Sequence, residues 1–148
     1  MANLNPEWKG VKLSIGTAAT SATPPVWTYS ALCKGIKSIT PRVNEQNQQA
    51  FYMCGNGGAN NEVTGIAPEY DVSGDRIYGD AAQDYIVSKQ FALGTDRNSS
   101  VKIISGGKQI ICDCSIGDVV SFGGQTLDVN SFGCTIRFNG TPTVTDAT

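Results

Sequence analysis

The sequence predicts a mainly β protein, a sandwich or barrel with one flanking α-helix over about residues 81–93. Three observations carry this. Short runs of period-two alternation recur along the chain, as strands require. Gly, Asn, Ser and Thr punctuate them, with 17 glycines in 148 residues, as turns between short strands require. A single stretch, Ala81 to Leu93, has helical spacing and a capping residue in front of it.

The elements follow in order. Residues 1–10 read as an N-terminal arm. Val11, Leu13 and Ile15 alternate with Lys12 and Ser14 in a first strand, and GTAATSATPP (16–25) reads as a loop. Val26–Leu32 and Ile36–Val43 read as strands. Pro41 cannot donate to a ladder, so the second of these belongs at a sheet edge or ends there. The polar NEQNQQ (44–49) and the flexible GNGGANN (55–61) frame a long hairpin or mobile loop over 44–61, a length of connection that often carries function.

Val63–Val72 reads as one strand, with Ile66, Pro68, Tyr70 and Val72 on one face and Ala67, Glu69 and Asp71 on the other. Ser73-Gly74-Asp75 then breaks it. Asp80 is placed to cap the helix, since its carboxylate can accept from first-turn amides at the positive end of the dipole. The stripe Ala82, Tyr85, Ile86 and Leu93 marks the packed side, and Gly94 is a suitable C′ residue. Strands at 101–105, 109–116, 119–122, 126–129 and 131–139 follow, with Gly106-Gly107 as a hairpin turn. Residues 141–148 read as a C-terminal tail. The whole, 1–148, reads as a single domain, large enough to bury roughly 70% of its unfolded surface without disulfides or metal.

Charge and composition narrow the function. The formal net charge is −2 and the pI about 4.9, and the 11 Lys and Arg are scattered. Nucleic-acid binders draw most of their affinity from clustered cations. No apolar run reaches the length of a membrane span. The start, MANLNPEWKG, lacks the basic-then-apolar pattern of a secretory signal, so synthesis in the cytoplasm is expected. There is no histidine, which removes the commonest general base and zinc ligand.

Cys33, Cys54, Cys112, Cys114 and Cys134 are odd in number, against a disulfide framework. Cys112 and Cys114 share a strand face with Ile110 and Ile116, and Cys134 shares one with Phe132, Ile136 and Phe138. Small buried hydrophobes account for all three. Asp71, Asp75, Asp80 and Asp84 do not match a calcium loop, because Arg76 falls where Gly is needed. Gly55–Gly58 lacks the Lys-Ser/Thr of a phosphate loop. No cofactor, metal site or catalytic constellation is read from these residues, so an enzyme is not expected. Trp8 and Trp27 suit a core or a subunit interface as well as a sugar platform.

At TGIAPEYDVSGDRIYGDAAQDYI (64–86) and SFGCTIRFNGTP (131–142) the chain resembles phage major tail proteins, the tail tube proteins of long-tailed phages. Lys34–Val43 with the NEQNQQ after it resembles their usual lead-in. The likeness extends from about Lys34 onward.

The resemblance implies a structural virion protein, made in the host bacterial cytoplasm. Hexameric rings would stack into the hollow tail tube, the conduit for DNA ejection. Strands of neighbouring subunits would join into a continuous inner barrel. It implies this chain itself as main partner, with tape measure, terminator and distal tail proteins. Genomic DNA would pass without specific binding, and no membrane would be involved.

Under that resemblance Asn44, Glu45, Gln46, Asn56, Gly57, Gly58, Asn60 and Asn61 are candidates for a ring-stacking loop. Trp8, Thr141 and Pro142 are candidates for arm contacts. Glu45, Glu62, Glu69 and Asp71 are candidates for an acidic lumen. Two alternatives stand beside this reading: a tail terminator or head-tail joining ring, and a β-sandwich module binding carbohydrate or a host surface.

Overall fold

The computed structural model describes residues 12–21, 25–123, 125–126 and 130–146. The strands are β1 (Lys12–Ala19), β2 (Trp27–Ala31), β3 (Ile36–Arg42), β4 (Gln46–Phe51), β5 (Ala59–Gly65), β6 (Glu69–Asp75), β7 (Asn98–Ser105), β8 (Lys108–Val120), β9 (Ser131–Phe138) and β10 (Thr143–Asp146). Helix α1 (Ala81–Ser88) lies between β6 and β7. The strands of the main sheet run β2-β1-β7-β8-β9-β6-β3, with β10 also on β8. All its pairings are antiparallel.

The two end strands of that path, β2 and β3, are consecutive in sequence and joined only by residues 32–35. The sheet therefore rolls until its edges approach at this corner, and Leu32 is 2% exposed inside it. The interior is filled from the inward faces: Leu13 and Ile15 of β1, Val101 and Ile103 of β7, Ile116 of β8, Phe132 and Ile136 of β9, Val72 of β6. Ala82 and Ile86 of α1 join this core. Each fully buried aliphatic or Phe side chain contributes roughly 1.5–3 kcal/mol. Mainly β with one flanking helix is thus the observed class.

Irregular pairing explains where simple alternation misreads a face. Ile36 pairs with Gly74 but Ser38 pairs with Ser73, so Lys37 is an extra residue. This bulge turns both Ile36 and Ile39 toward the core, although a strict period of two would separate them. Pro41 does lie on an edge strand, β3.

Several boundaries differ from the sequence expectation. Residues 16–19 continue β1 rather than opening a loop. Their small side chains leave room for Trp27: a Cβ on Gly16 would lie 2.7 Å from its ring. Val63–Val72 is not one strand. Val63–Gly65 belong to β5, residues 66–68 are irregular, and β6 begins at Glu69. Ser73-Gly74-Asp75 does not break β6 but completes it. Gly74 is needed for close approach, since a Cβ there would meet the Gly35 carbonyl oxygen at 2.1 Å.

The expected strands 109–116 and 119–122 are a single strand, β8, irregular at Gly117–Val120, where Asp118 has a φ of 49°. Thr126 lies in a turn, and 127–129, expected as strand, are outside the described residues. The expected tail contains β10. Phe138 faces Cys114 and Thr143 faces Ile111 along one edge of β8, so β10 resumes the path of β9 after a bulge holding Thr141 and Pro142. Trp8 and the arm over residues 1–10 fall outside the described residues.

Helix α1 begins as expected, with the Asp80 carboxylate accepting from the Gln83 amide at 3.3 Å. It ends at Ser88, not at Leu93. The turn that follows is held from outside: Arg97 donates to the Ala92 carbonyl at 2.7 Å and to the Gln90 carbonyl at 2.6 Å. Leu93 is consequently 82% exposed, and Gly94, with φ +62°, starts a short 3-10 turn rather than capping α1.

Gln83 ties α1 to the sheet. It is fully buried. Its side-chain oxygen accepts from the Ile77 amide at 2.8 Å and from Arg76 at 3.3 Å. Its side-chain nitrogen donates to the carbonyls of Lys34 at 2.8 Å and Asp75 at 3.1 Å. One side chain thereby satisfies groups from the β2–β3 link, the end of β6 and the segment after it.

Candidate functional site

Three surface features could engage other molecules: a protruding hairpin, a charged sheet face and an apolar patch after α1. Strands β4 and β5 form a two-stranded sheet of their own, so the long connection is a hairpin. Its base is set where β3 and β6 end. The Ala67 amide donates to the Val43 carbonyl at 2.9 Å. Asn44, in the left-handed region at φ 52°, donates from its side chain to the Ala67 carbonyl at 3.1 Å. Gln48 faces Glu62, Gln49 faces Asn61 and Ala50 faces Asn60. At the tip, Met53–Gly55 make a 3-10 turn, and Asn56-Gly57 take φ of 50° and 85°, a conformation that Asn and Gly adopt at least cost.

Within β4 and β5 every residue except Ala50 and Gly65 is exposed. An isolated two-stranded hairpin is at best marginal in water, and this one carries its largest apolar side chains at the end. Phe51 is 68%, Tyr52 62% and Met53 99% exposed. Of the stacking-loop candidates, Asn44, Glu45 and Gln46 sit at the base, Asn56, Gly57 and Gly58 at the tip, and Asn60 and Asn61 on β5. The aromatic-Met tip was not among them. The signal was present as the triplet Phe51-Tyr52-Met53, one residue before GNGG.

The acidic lumen candidates do not form one group. Glu45 and Glu62 are exposed on the hairpin. Glu69 and Asp71 lie on the outward face of β6 within a ladder of opposite charges. Asp118 meets Arg137 at 2.9 Å, Arg137 meets Glu69 at 3.5 Å, and Glu69 meets Arg42 at 3.0 Å. Arg42 also pairs with Asp71, which accepts from Thr135 at 2.8 Å. The ladder crosses β8, β9, β6 and β3 and leaves its face nearly balanced. Exposed pairs of this kind contribute about 0–1 kcal/mol each, so their main effect is on surface potential. The other acids considered together as a calcium set are spoken for separately: Asp75 pairs with Lys37, Asp84 with Arg76, and Asp80 caps α1.

A smaller apolar patch follows α1. Phe91 is 88% and Phe122 73% exposed. The turn bearing Phe91 is held to the end of β8, where Gln90 donates to the Val119 carbonyl at 3.4 Å and accepts from Ser121 at 3.1 Å.

The cysteines divide by burial. Cys112, Cys114 and Cys134 are buried, and Cys33 and Cys54 are exposed. Burial pushes the thiols of Cys114 and Cys134 up to about 12 and raises that of Cys112, so none supplies a thiolate at neutral pH. Maleimide at pH 7 should therefore label the native protein at Cys33 and Cys54 alone and all five thiols after unfolding. Mass spectrometry of the two samples checks this, and native labelling at Cys114 would contradict the packed core. No helix among the described residues is long and apolar enough to cross a membrane.

Among the described residues the architecture is that of a rolled antiparallel sheet with one buttressing helix and an exposed hairpin. No family model matches the chain, and no curated protein matches it. Among solved structures, a chain from the tail of an empty GTA particle, obtained by helical refinement with C6 symmetry, is similar to it. The two superpose with a TM-score of 0.71 at 10% identity, over 95% of this chain and 99% of that one. The likeness is one of fold, and it spans nearly the whole of both chains.

Proposed function

We propose that this chain is the structural subunit of a phage tail tube, self-assembling into hexameric rings that stack into a hollow conduit for DNA ejection. The observation that carries the reading is the hairpin over 44–66. It is ordered by its own ladder, yet among the described residues its apolar tip stays exposed. Such surface calls for a partner. The whole-chain similarity in fold to a C6-symmetric tail component supports a second copy as that partner.

Among the described residues the sheet also leaves β2 and β3 as edge strands, and unpaired edges are hazards unless used or blocked. Pairing around a closed ring removes them. Ring contacts close by rotation, whereas hairpin contacts translate from ring to ring and so build a filament. On this reading the face bearing Glu69 and Asp71 lines the lumen. Its arginines are matched by carboxylates, so it has little hold on passing phosphates. Tape measure, terminator and distal tail proteins would be further partners, and the virion tail the location after synthesis in the host cytoplasm.

Negative-stain microscopy of the purified protein over a concentration series tests the proposal. Hollow filaments with an axial repeat and six-fold end views are expected. Single rings at every concentration would instead indicate a terminator or joining protein. Small uniform particles that never polymerise, even when seeded with preformed tail fragments, would overturn it.

A further inference from the structure

An apolar cleft of about 450 Å³ opens at the corner where the sheet's two edges approach. Its walls include Leu13 of β1, Leu32 and Cys33 of the β2–β3 link, and Ile36 and Ile39 of β3. Lys12 is the charged residue of its lining, and exposed Lys34 and Lys37 flank Cys33 and Ile36 in the chain. The volume lies within the ~300–1,000 Å³ typical of sites that engulf a ligand, and so has room for large side chains.

The position of this cleft relative to the hairpin is informative. The cleft is at the Ile36 end of β3, where Ile36 faces Gly74. The hairpin leaves from the Arg42 end, where Arg42 faces Glu69. The seven residues of β3 separate the two ends by about 20 Å at ~3.3 Å per residue. The hairpin does not fold back to bridge that distance, because its strands are exposed along their length. An apolar projection at one end and an apolar recess at the other form a heterologous pair. Such a pair cannot close on itself within one subunit, but repeats by translation between copies.

The charges agree with that pairing. Residues 44–66 contain Glu45 and Glu62 and no Lys or Arg, while the recess offers Lys12 with exposed Lys34 nearby, Lys37 being paired with Asp75. A like-charged pairing would be disfavoured, and opposite charges at the rim steer and register the contact.

We infer that the hairpin tip, Phe51-Tyr52-Met53, inserts into the Leu13–Leu32–Ile36–Ile39 cleft of a second copy, making this recess the receptor for the stacking contact. The inference rests on the tube reading and names the surface that the hairpin engages. Aromatic and Met side chains at the centre of such a contact are the types that dominate interface energies.

The chain carries its own probe. Cys54 sits next to Met53 at the tip, Cys33 lines the cleft, and both are exposed while the other three thiols are buried. Docking brings Cys54 of one copy close to Cys33 of the next. Assembled tubes treated with a short bismaleimide and run on a denaturing gel should give a ladder of dimers, trimers and higher multiples. Either Cys33→Ser or Cys54→Ser should abolish the ladder, because each link needs one thiol of each kind.

Both substitutions are at exposed positions and should leave the fold intact, which circular dichroism verifies. Tubes that form without a ladder overturn the receptor assignment and leave the tube reading standing. So do cross-linked dimers surviving Cys54→Ser, which would mean that Cys33 of one copy lies against Cys33 of another rather than against the hairpin tip. Failure of the unmodified chain to form any tube overturns both.

Discussion

Replacing residues 44–66 by Asn-Gly should yield a chain that folds as before and forms no tubes. The design follows from the base of the hairpin. Val43 and Ala67 are already joined by a backbone hydrogen bond of 2.9 Å, so a two-residue turn can connect β3 directly to β6, and Asn-Gly suits such a turn. Little is lost from the core, since the removed strands are exposed. The stability change should stay below about 1 kcal/mol, a Tm shift of no more than roughly 4 °C.

Assembly should be lost, because the projecting apolar tip is gone. Met53→Asp offers a milder version. Met53 is 99% exposed, so folding should be unaffected. A buried interface anchor typically contributes about 2 kcal/mol or more, and the proposed ring repeats that loss at every subunit of each junction. Sedimentation and microscopy of the two variants read the result. Tubes of ordinary length from the shortened chain would show that the hairpin is not the stacking element.

Gln83→Leu should be among the most damaging single substitutions in the protein. Leucine has a comparable size but makes none of the four hydrogen bonds of the buried amide. The Ile77 amide, the Arg76 guanidinium and the carbonyls of Lys34 and Asp75 lose a partner together. A buried polar group left without a partner costs about 1–3 kcal/mol. The expected loss is on the order of 4 kcal/mol, a large part of the ~5–15 kcal/mol that holds a typical domain together.

Asp84→Asn is the control. Asp84 also touches Arg76, at 2.6 Å; its own side chain is 45% exposed and that of Arg76 only 7%, but Asn keeps an oxygen that can accept from the guanidinium, so the loss should be about 1–2 kcal/mol. Urea unfolding of both variants separates them. A Gln83→Leu loss no larger than that of Asp84→Asn would mean that water replaces the amide.

The two variants probe features of very different legibility. The hairpin could be read from its residues, because polar strands with few apolar positions, Asn44, and a Gly-rich tip have local causes. So could the start of α1, where the Asp80 cap acts within one turn, and the alternation of β9 from Phe132 to Phe138. Gln83 could not. In the sequence it is one polar residue on a short helix, and its role exists only because the β2–β3 link and the end of β6 converge on it. The end of α1 was hidden for the same reason: Arg97, well beyond the helix, holds the turn at 89–92 by its carbonyls.

Sequence alone thus determined the mainly β class, the single capped helix and the burial of Cys112, Cys114 and Cys134, because periodicity and capping act between near neighbours. It also drew attention to 44–61 and, through segments 64–86 and 131–142, to a tail-tube resemblance. Tertiary structure alone decided which strands pair, that β10 extends the path of β9, and that bulging at Lys37 turns Ile36 and Ile39 to one side. It also decided that Glu69 and Asp71 are matched by Arg42 and Arg137, and that an apolar recess lies at the far end of β3 from the hairpin. Each depends on partners many residues away, whose meeting is set by how the rolled sheet closes around one core and not by any local preference.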